Sequence, residues 1–200
     1  MKRLSYLAVP TEADVTPEIA ALWRKAQANL GFTPNVFRAQ ALNAAQFWAW
    51  WKYYDLLMNK EGWLPPLERE MVATVVSSLN RCVYCLVSHA SAVRVLSGDA
   101  KLADTLAIDY RQADLTLRQR AMLDFAAALT LHPDGRSPAD LEALRAVGLD
   151  DHAILELTQV VAMFNATNRI SSALGFVPNE EYFQLGRDAQ KVEVAEEPRE

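Results

Sequence analysis

Apolar residues recur at the spacing of an α-helix along most of this chain of 200 residues. A half-buried strand would instead alternate apolar and polar side chains, and no stretch shows that alternation convincingly. Prolines beside capping residues mark where helices begin, as at Thr16-Pro17, Thr33-Pro34 and Ser137-Pro138. The pattern therefore predicts an all-α protein, with helices at 17–30, 43–59, 67–79, 82–96, 99–108, 116–130 and 151–174, one more after Ser137, and a loop at 132–136.

The length fits one domain that buries most of its apolar surface without disulfides or metals. We expect a single domain over 1–200, composed of N-terminal helices at 1–60, a core at 61–110, a second helical half at 111–190 and a flexible tail at 191–200. Two stretches, LEREM at 67–71 and LRQRA at 117–121, each open a helix rich in small apolar residues. This similarity suggests a duplicated helical repeat in which the second copy lacks the cysteines.

Charge and hydropathy argue against two classes of partner. The net charge is −5, and no dense stripe of Lys and Arg offers the positive surface that nucleic-acid binding requires. No apolar run reaches the roughly 18 residues that span a bilayer. The first residues, MKRLSYLAVPTEAD, do not form a signal peptide, because Pro10 cuts a short apolar stretch. We therefore expect a cytoplasmic protein that binds neither nucleic acid nor membrane.

The two cysteines, Cys82 and Cys85, lie three positions apart. In a reducing cytosol such a pair is more often catalytic or metal-binding than structural. On a helix, Cys82, Cys85 and His89 share one face, so both sulfurs and an imidazole are within reach of each other. The thiolate rather than the thiol attacks peroxides and disulfides, and histidine can accept the thiol proton. A helix N-terminus would favour the thiolate further, so the pattern indicates a redox-active dithiol.

Two other interpretations of the pair stay open. Buried cysteines can pack as small apolar residues. They can also bind a structural zinc together with His89, but a tetrahedral site needs a fourth ligand. The other histidines, His132 and His152, stand apart from any second cluster of ligands, so neither is assigned to the site.

The stretch at 70–93, EMVATVVSSLNRCVYCLVSHASAV, resembles the alkylhydroperoxidase AhpD core of the carboxymuconolactone decarboxylase superfamily. The shared pattern is a glutamate, a cysteine twelve positions later that opens C-x-x-C, and a histidine four positions beyond the second cysteine. The chain length, the aromatic helix before the motif and the later FNATNRI segment resemble the peroxidase-related subgroup of that superfamily.

This resemblance implies an all-helical oxidoreductase, a thiol-dependent peroxidase with Glu70, Cys82, Cys85 and His89 as catalytic residues. In the family, the residue equivalent to Cys85 becomes a sulfenic acid on attacking a hydroperoxide, and the equivalent of Cys82 donates a proton and resolves it to a disulfide. Glu70 and His89 form the implied proton relay, and an external dithiol or thiol protein restores the dithiol. The resemblance implies no cofactor and no metal, and it favours a homo-oligomer.

Three alternative functions remain: a disulfide reductase acting as an adaptor for a peroxiredoxin, a decarboxylase without thiol redox chemistry, and a structural zinc module. Without the resemblance, Glu68 is as good a candidate as Glu70. Asn165 and Arg169 lie at i and i+4 on an otherwise apolar helix, and we expect a structural salt bridge for the arginine. The aromatic residues at 47–54 are interpreted as core or oligomer packing, with a pocket for an apolar peroxide as the alternative.

Overall fold

The computed structural model of the protein describes residues 3–187, in which all regular structure is helical and no β-strand occurs. This confirms the all-α prediction. The tail expected at 191–200 lies outside the described residues. The helices are α1 (Pro17–Leu30), α2 (Asn35–Gln40), α3 (Ala44–Met58), α4 (Pro66–Leu79), α5 (Val83–Ser97), α6 (Ala100–Asp109), α7 (Leu117–Leu131), α8 (Pro138–Ala146), α9 (Asp151–Ala173) and α10 (Glu181–Gln184), with short 3₁₀ helices at Glu12–Asp14, Tyr110–Gln112 and Pro133–Gly135.

Local signals place most helix ends within one or two residues of the predicted positions. Helix α1 begins at Pro17 after the N-cap Thr16, and it ends where Gly31 adopts a left-handed conformation with φ of 82°. A capping box between Thr116 and Gln119 opens α7. The predicted loop at 132–136 contains a 3₁₀ turn. The short helix α10 was not predicted, because four residues carry too little periodicity.

Helix α4 is the centre of the main core and packs against α5, α7 and α9. All side chains from Met71 to Val76 are buried, which explains why apolar residues cover more than one stripe of this helix. The two stretches with similar sequences, at 67–71 and 117–121, open α4 and α7, which pack against each other.

A second apolar cluster joins α1, α2 and α3 to the start of α5. Its largest members are Trp23, Phe37 and Phe47, and it includes both Cys82 and Cys85. The cysteines therefore lie where this N-terminal cluster meets the α5 helix that packs on the main core.

Two ion-paired arginines fix the segments around this junction. Arg69 is 2% exposed, pairs with Glu156 at 2.8 Å and donates to the backbone carbonyls of Leu57, at the end of α3, and Lys60, in the following loop. Arg94 donates to the carbonyls of Tyr182 and Leu185 and holds α10 against α5. None of the described helices is long and apolar enough to cross a membrane.

Candidate functional site

A tight reversal between α4 and α5 places the cysteines. Arg81 has a left-handed φ of 54°, and the N–H groups of Arg81 and Cys82 donate to the carbonyls of Ser78 and Ser77. These two bonds close the end of α4, and Cys82 then becomes the N-cap of α5. The sulfur of Cys82 therefore lies at the positive end of a helix, immediately before the first turn of α5.

Hydrogen bonds to the Cys82 sulfur favour its thiolate. The thiol of Cys85 donates to it, the Cys85 backbone N–H does the same from the first turn of α5, and Ser172 on α9 adds a hydroxyl. These donors outweigh the cost of burial and lower the pKa of Cys82 from an ordinary 9.0 to about 6. The surroundings of the pair therefore favour a thiolate on Cys82 over one on Cys85.

Cys85 has the opposite electrostatic character. Its thiol donates to Cys82 and is buried, and both effects raise the pKa of Cys85 well above its ordinary value. A hydrogen bond of 3.7 Å joins its sulfur to the hydroxyl of Ser171 on α9. Because one proton is shared between two sulfurs, moving it from Cys85 to Cys82 transfers the negative charge to Cys85 without any net change in the pair.

His89 lies one turn after Cys85, and its Nδ1 is 2.6 Å from Oε2 of Glu70 on α4. The Phe164 ring packs against the imidazole in a T-shaped arrangement, with ring centroids 4.5 Å apart and planes at 79°. The carboxylate accepts the Nδ1 proton, which leaves Nε2 as the nitrogen that can take up a proton. Glu68 is bound instead by Arg118, with Nε to Oε1 at 3.1 Å, so Glu70 is the glutamate that lies beside the histidine.

A cavity of about 650 Å³ runs along α1, α3 and α5. Cys85, His89 and Glu70 line it, whereas Cys82 lies behind Cys85 in the apolar cluster. Most of its remaining wall is apolar or aromatic, with Leu22, Ala26, Phe37, Trp50, Trp51 and Tyr54 as examples. Part of the aromatic segment at 47–54 therefore faces a space next to the dithiol, while Phe47 is fully buried in the core.

The other polar residues singled out in the sequence lie elsewhere. The His152 ring stacks on Trp63, with centroids 4.8 Å apart, and His132 ends α7. Arg169 donates from Nη1 to the backbone carbonyl and side-chain oxygen of Asn165, so this partner is a neutral amide rather than the carboxylate we expected. Among residues 3–187, no three His, Cys, Asp or Glu side chains are grouped so that they could hold a metal ion.

Sequence reasoning missed the contribution of α9 to the site. Ser171 and Ser172 are consecutive, yet the first contacts Cys85 and the second contacts Cys82. Thr167, one turn earlier, lies in the cavity wall. The only signal in the sequence is a run of small polar residues near the end of a long, otherwise apolar helix.

Comparisons with known proteins agree with this geometry. The model of the carboxymuconolactone decarboxylase family matches residues 44–109, which include Glu70, both cysteines and His89. The structure of a peroxidase-related protein with an alkylhydroperoxidase AhpD core, from Ralstonia eutropha JMP134, is 36% identical and superposes with a TM-score of 0.91 over 94% of this chain and 98% of that one.

A peroxidase-related protein from Silicibacter sp. TM1040 is 44% identical and has a TM-score of 0.89, over 93% of this chain and 97% of that one. The uncharacterized protein YdfG of Bacillus subtilis is 27% identical over 118 residues, which are 58% of this chain and 80% of YdfG. The two structural likenesses span nearly the whole chain, including the helices that hold the dithiol.

Proposed function

Because this chain belongs to the carboxymuconolactone decarboxylase family, among its alkylhydroperoxidase AhpD-like, peroxidase-related members, we propose that it is a thiol-dependent peroxidase. It reduces hydroperoxides through a dithiol–disulfide cycle of Cys82 and Cys85. The observation that carries this proposal is that the sulfur of Cys85 borders an apolar cavity while its proton is hydrogen-bonded to the Cys82 thiolate. The nucleophile thus has both a substrate space and a base.

In the first half of the cycle, the proton of Cys85 moves to Cys82, and the Cys85 thiolate attacks the terminal oxygen of the hydroperoxide. A sulfur–oxygen bond forms and the oxygen–oxygen bond breaks. The departing alkoxide takes the proton that Cys82 holds and leaves as an alcohol. Cys85 is then a sulfenic acid, and Cys82 is again a thiolate.

In the second half, the Cys82 thiolate attacks the sulfur of the sulfenic acid. A disulfide forms and hydroxide leaves, and it takes one proton to become water. His89, oriented by Glu70 through the 2.6 Å contact, takes up a proton from solvent at Nε2 and gives it to the leaving hydroxide. The peroxide has then accepted two electrons from the dithiol, and an external dithiol or thiol protein returns them by thiol–disulfide exchange.

The cavity favours a hydroperoxide with an apolar body, because aromatic and aliphatic side chains form most of its wall. Both cysteines are 1% exposed, so a folded protein disulfide could not reach their sulfurs without a change in the structure. This burial makes hydroperoxide a better substrate than a protein disulfide, the adaptor role among the alternatives. Reduction of the disulfide by a small dithiol requires a thiol that can enter the cavity, and reduction by a thiol protein requires the same change in the structure.

We further propose that the chain acts as one domain in a reducing compartment such as the cytoplasm. The two cysteines of the chain lie three positions apart, a spacing that in a reducing compartment is typical of catalytic rather than structural pairs. Homo-oligomers are proposed because large apolar side chains near the aromatic helix are exposed, including Leu42 at 60% and Leu56 at 61%.

The first test is the number of free thiols and the intact mass of the reduced protein before and after one equivalent of tert-butyl hydroperoxide. We expect the loss of both thiols and a decrease of about 2 Da, as a disulfide requires. The variant Cys85→Ser should not react, and Cys82→Ser should stop at a sulfenic acid, about 16 Da heavier. Two thiols left unreacted would instead favour the decarboxylase chemistry for which the family is named, and an unchanged rate in Cys85→Ser would rule out the mechanism.

A further inference from the structure

Helix α9 presents polar groups to the sulfur that attacks. The Ser171 hydroxyl lies 3.7 Å from the sulfur of Cys85, and Ser171 is 2% exposed. Asn168, one turn earlier on the same face of α9, is 1% exposed, and its side chain acts on the pKa of Cys85 in the same direction as Ser171, lowering it. Burying a polar side chain costs free energy unless it is hydrogen-bonded, so polar side chains beside a buried thiol indicate an interaction that an apolar residue could not make.

The orientation of the Asn168 amide is set by a chain of hydrogen bonds that starts at a backbone carbonyl. Asn165 Nδ2 is 3.1 Å from the carbonyl of Val161, which can only accept, so this atom must be the NH₂ group. The Asn165 oxygen therefore faces Asn80, whose Nδ2 donates to it at 3.0 Å. The same Nδ2 of Asn80 donates to Oδ1 of Asn168, also at 3.0 Å.

It follows that the remaining end of the Asn168 side chain is its NH₂ group. One of its hydrogens goes to the Ser77 hydroxyl at 3.0 Å. The other is available to the Cys85 sulfur. If the Asn168 amide were flipped, its NH₂ group would face the NH₂ group of Asn80. The network therefore allows Asn168 to act only as a donor at Cys85.

We propose that Ser171 and Asn168 form the donor pair that stabilises the thiolate of Cys85 when it faces substrate. This proposal rests on the peroxidase function and adds the groups that let the charge move to Cys85. The cavity side of Cys85 is mostly apolar, whereas Cys82 keeps the backbone N–H of the helix end. Without donors from α9, the negative charge would stay on Cys82, behind the sulfur that meets the peroxide.

The test measures the pKa of Cys85 alone, in a Cys82→Ser background, from the pH dependence of alkylation by iodoacetamide followed by intact mass. We expect Ser171→Ala to raise this pKa by about one unit, a tenfold loss of thiolate at a pH below the pKa. Asn168→Asp keeps the size of the side chain but puts a carboxylate at the sulfur, and it should raise the pKa further. Ser171→Thr keeps the hydroxyl and should leave the pKa within a few tenths of the parent.

A matched control is Thr158→Ala, which removes a hydroxyl that bonds only within α9, to the carbonyl of Ile154. It should not change the pKa of Cys85. The proposal is overturned if Ser171→Ala and Asn168→Asp both leave the pKa unchanged, or if Thr158→Ala shifts it equally. Should Ser171→Ala fail to fold, the same-sized Asn168→Asp decides the question. Alkylation uses no peroxide, so a protein that proves not to be a peroxidase still answers this test.

Discussion

Glu70 and His89 lie on successive helices, and their side chains meet with Oε2 of the glutamate 2.6 Å from Nδ1 of the imidazole. Both are largely buried, so water competes little for this hydrogen bond. The contact fixes the tautomer of the histidine and holds its ring beside the cavity. Its geometry depends on how α4 and α5 pack, because neither helix alone brings the two residues together.

Replacing this carboxylate should slow the peroxide reaction without unfolding the protein. Glu70→Gln retains the size of the side chain but can no longer stabilise a proton that His89 receives, so we expect the rate of disulfide formation with tert-butyl hydroperoxide to fall about 100-fold. Glu68→Gln is the matched control, because Glu68 pairs with Arg118 outside the site. A Glu70→Gln rate within twofold of the Glu68→Gln rate would remove Glu70 from the mechanism.

The pH dependence of thiol reactivity should reveal the thiolate of Cys82. Its lowered pKa of about 6 means that the thiolate is present above pH 6 and is protonated as the pH falls below it. In the reduced wild-type protein, alkylation should therefore rise to a plateau with a midpoint near pH 6. A single midpoint between pH 8 and 9, typical of free cysteine, would contradict the hydrogen bonding of the pair.

Sequence patterns predicted the elements whose determinants are local. Cap residues and periodicity located the long helices, and i, i+3 and i+7 spacing put Cys82, Cys85 and His89 on one face. Glu70 could be chosen over Glu68 only through the family resemblance, since both are acids in the first half of α4. The structure separates them by their partners, His89 and Arg118, which lie on other helices.

The parts that could not be predicted depend on long-range packing. Ser171 lies 86 positions after Cys85, and nothing in its local sequence marks it as a neighbour of a thiol. The order of the two cysteine pKa values likewise depends on which sulfur caps α5 and which borders the cavity. Both properties follow from the tight reversal at Arg81 and from the packing of α9 against α5. Neither of these features produces a periodic pattern of residues in the sequence.

The buried pair of Arg69 and Glu156 should make Gly62 intolerant of any side chain. A Cβ at Gly62 would lie 2.5 Å from the Arg69 guanidinium and 2.7 Å from the Glu156 carboxylate. Gly62→Ala must therefore displace a buried ion pair, and we expect a loss of about 3 kcal/mol in the free energy of unfolding. Gly135→Ala, whose Cβ would meet open space, should change it by less than about 0.5 kcal/mol. Urea denaturation of both variants checks this, and equal stabilities would refute the steric argument.

Arg81 occupies a backbone position that suits glycine, since its φ of 54° is left-handed. For a residue with a Cβ this conformation costs roughly 1–2 kcal/mol, while glycine loses about 0.5–1 kcal/mol more conformational entropy on folding. We therefore expect Arg81→Gly to raise the free energy of unfolding of the reduced protein by about 0.5–1 kcal/mol, as measured by urea denaturation.

Arg81→Ala separates the backbone from the side chain. Alanine keeps the Cβ and thus the strain, so it should give no gain, and because the Arg81 side chain is exposed its removal should cost little. If alanine stabilises the protein as much as glycine does, the gain comes from losing the guanidinium and the strain argument is wrong. If only glycine stabilises the protein, the reversal that sets Cys82 at the start of α5 is held in a strained form. The midpoint of alkylation near pH 6 should be the same in both variants, because the donors to Cys82 are unchanged.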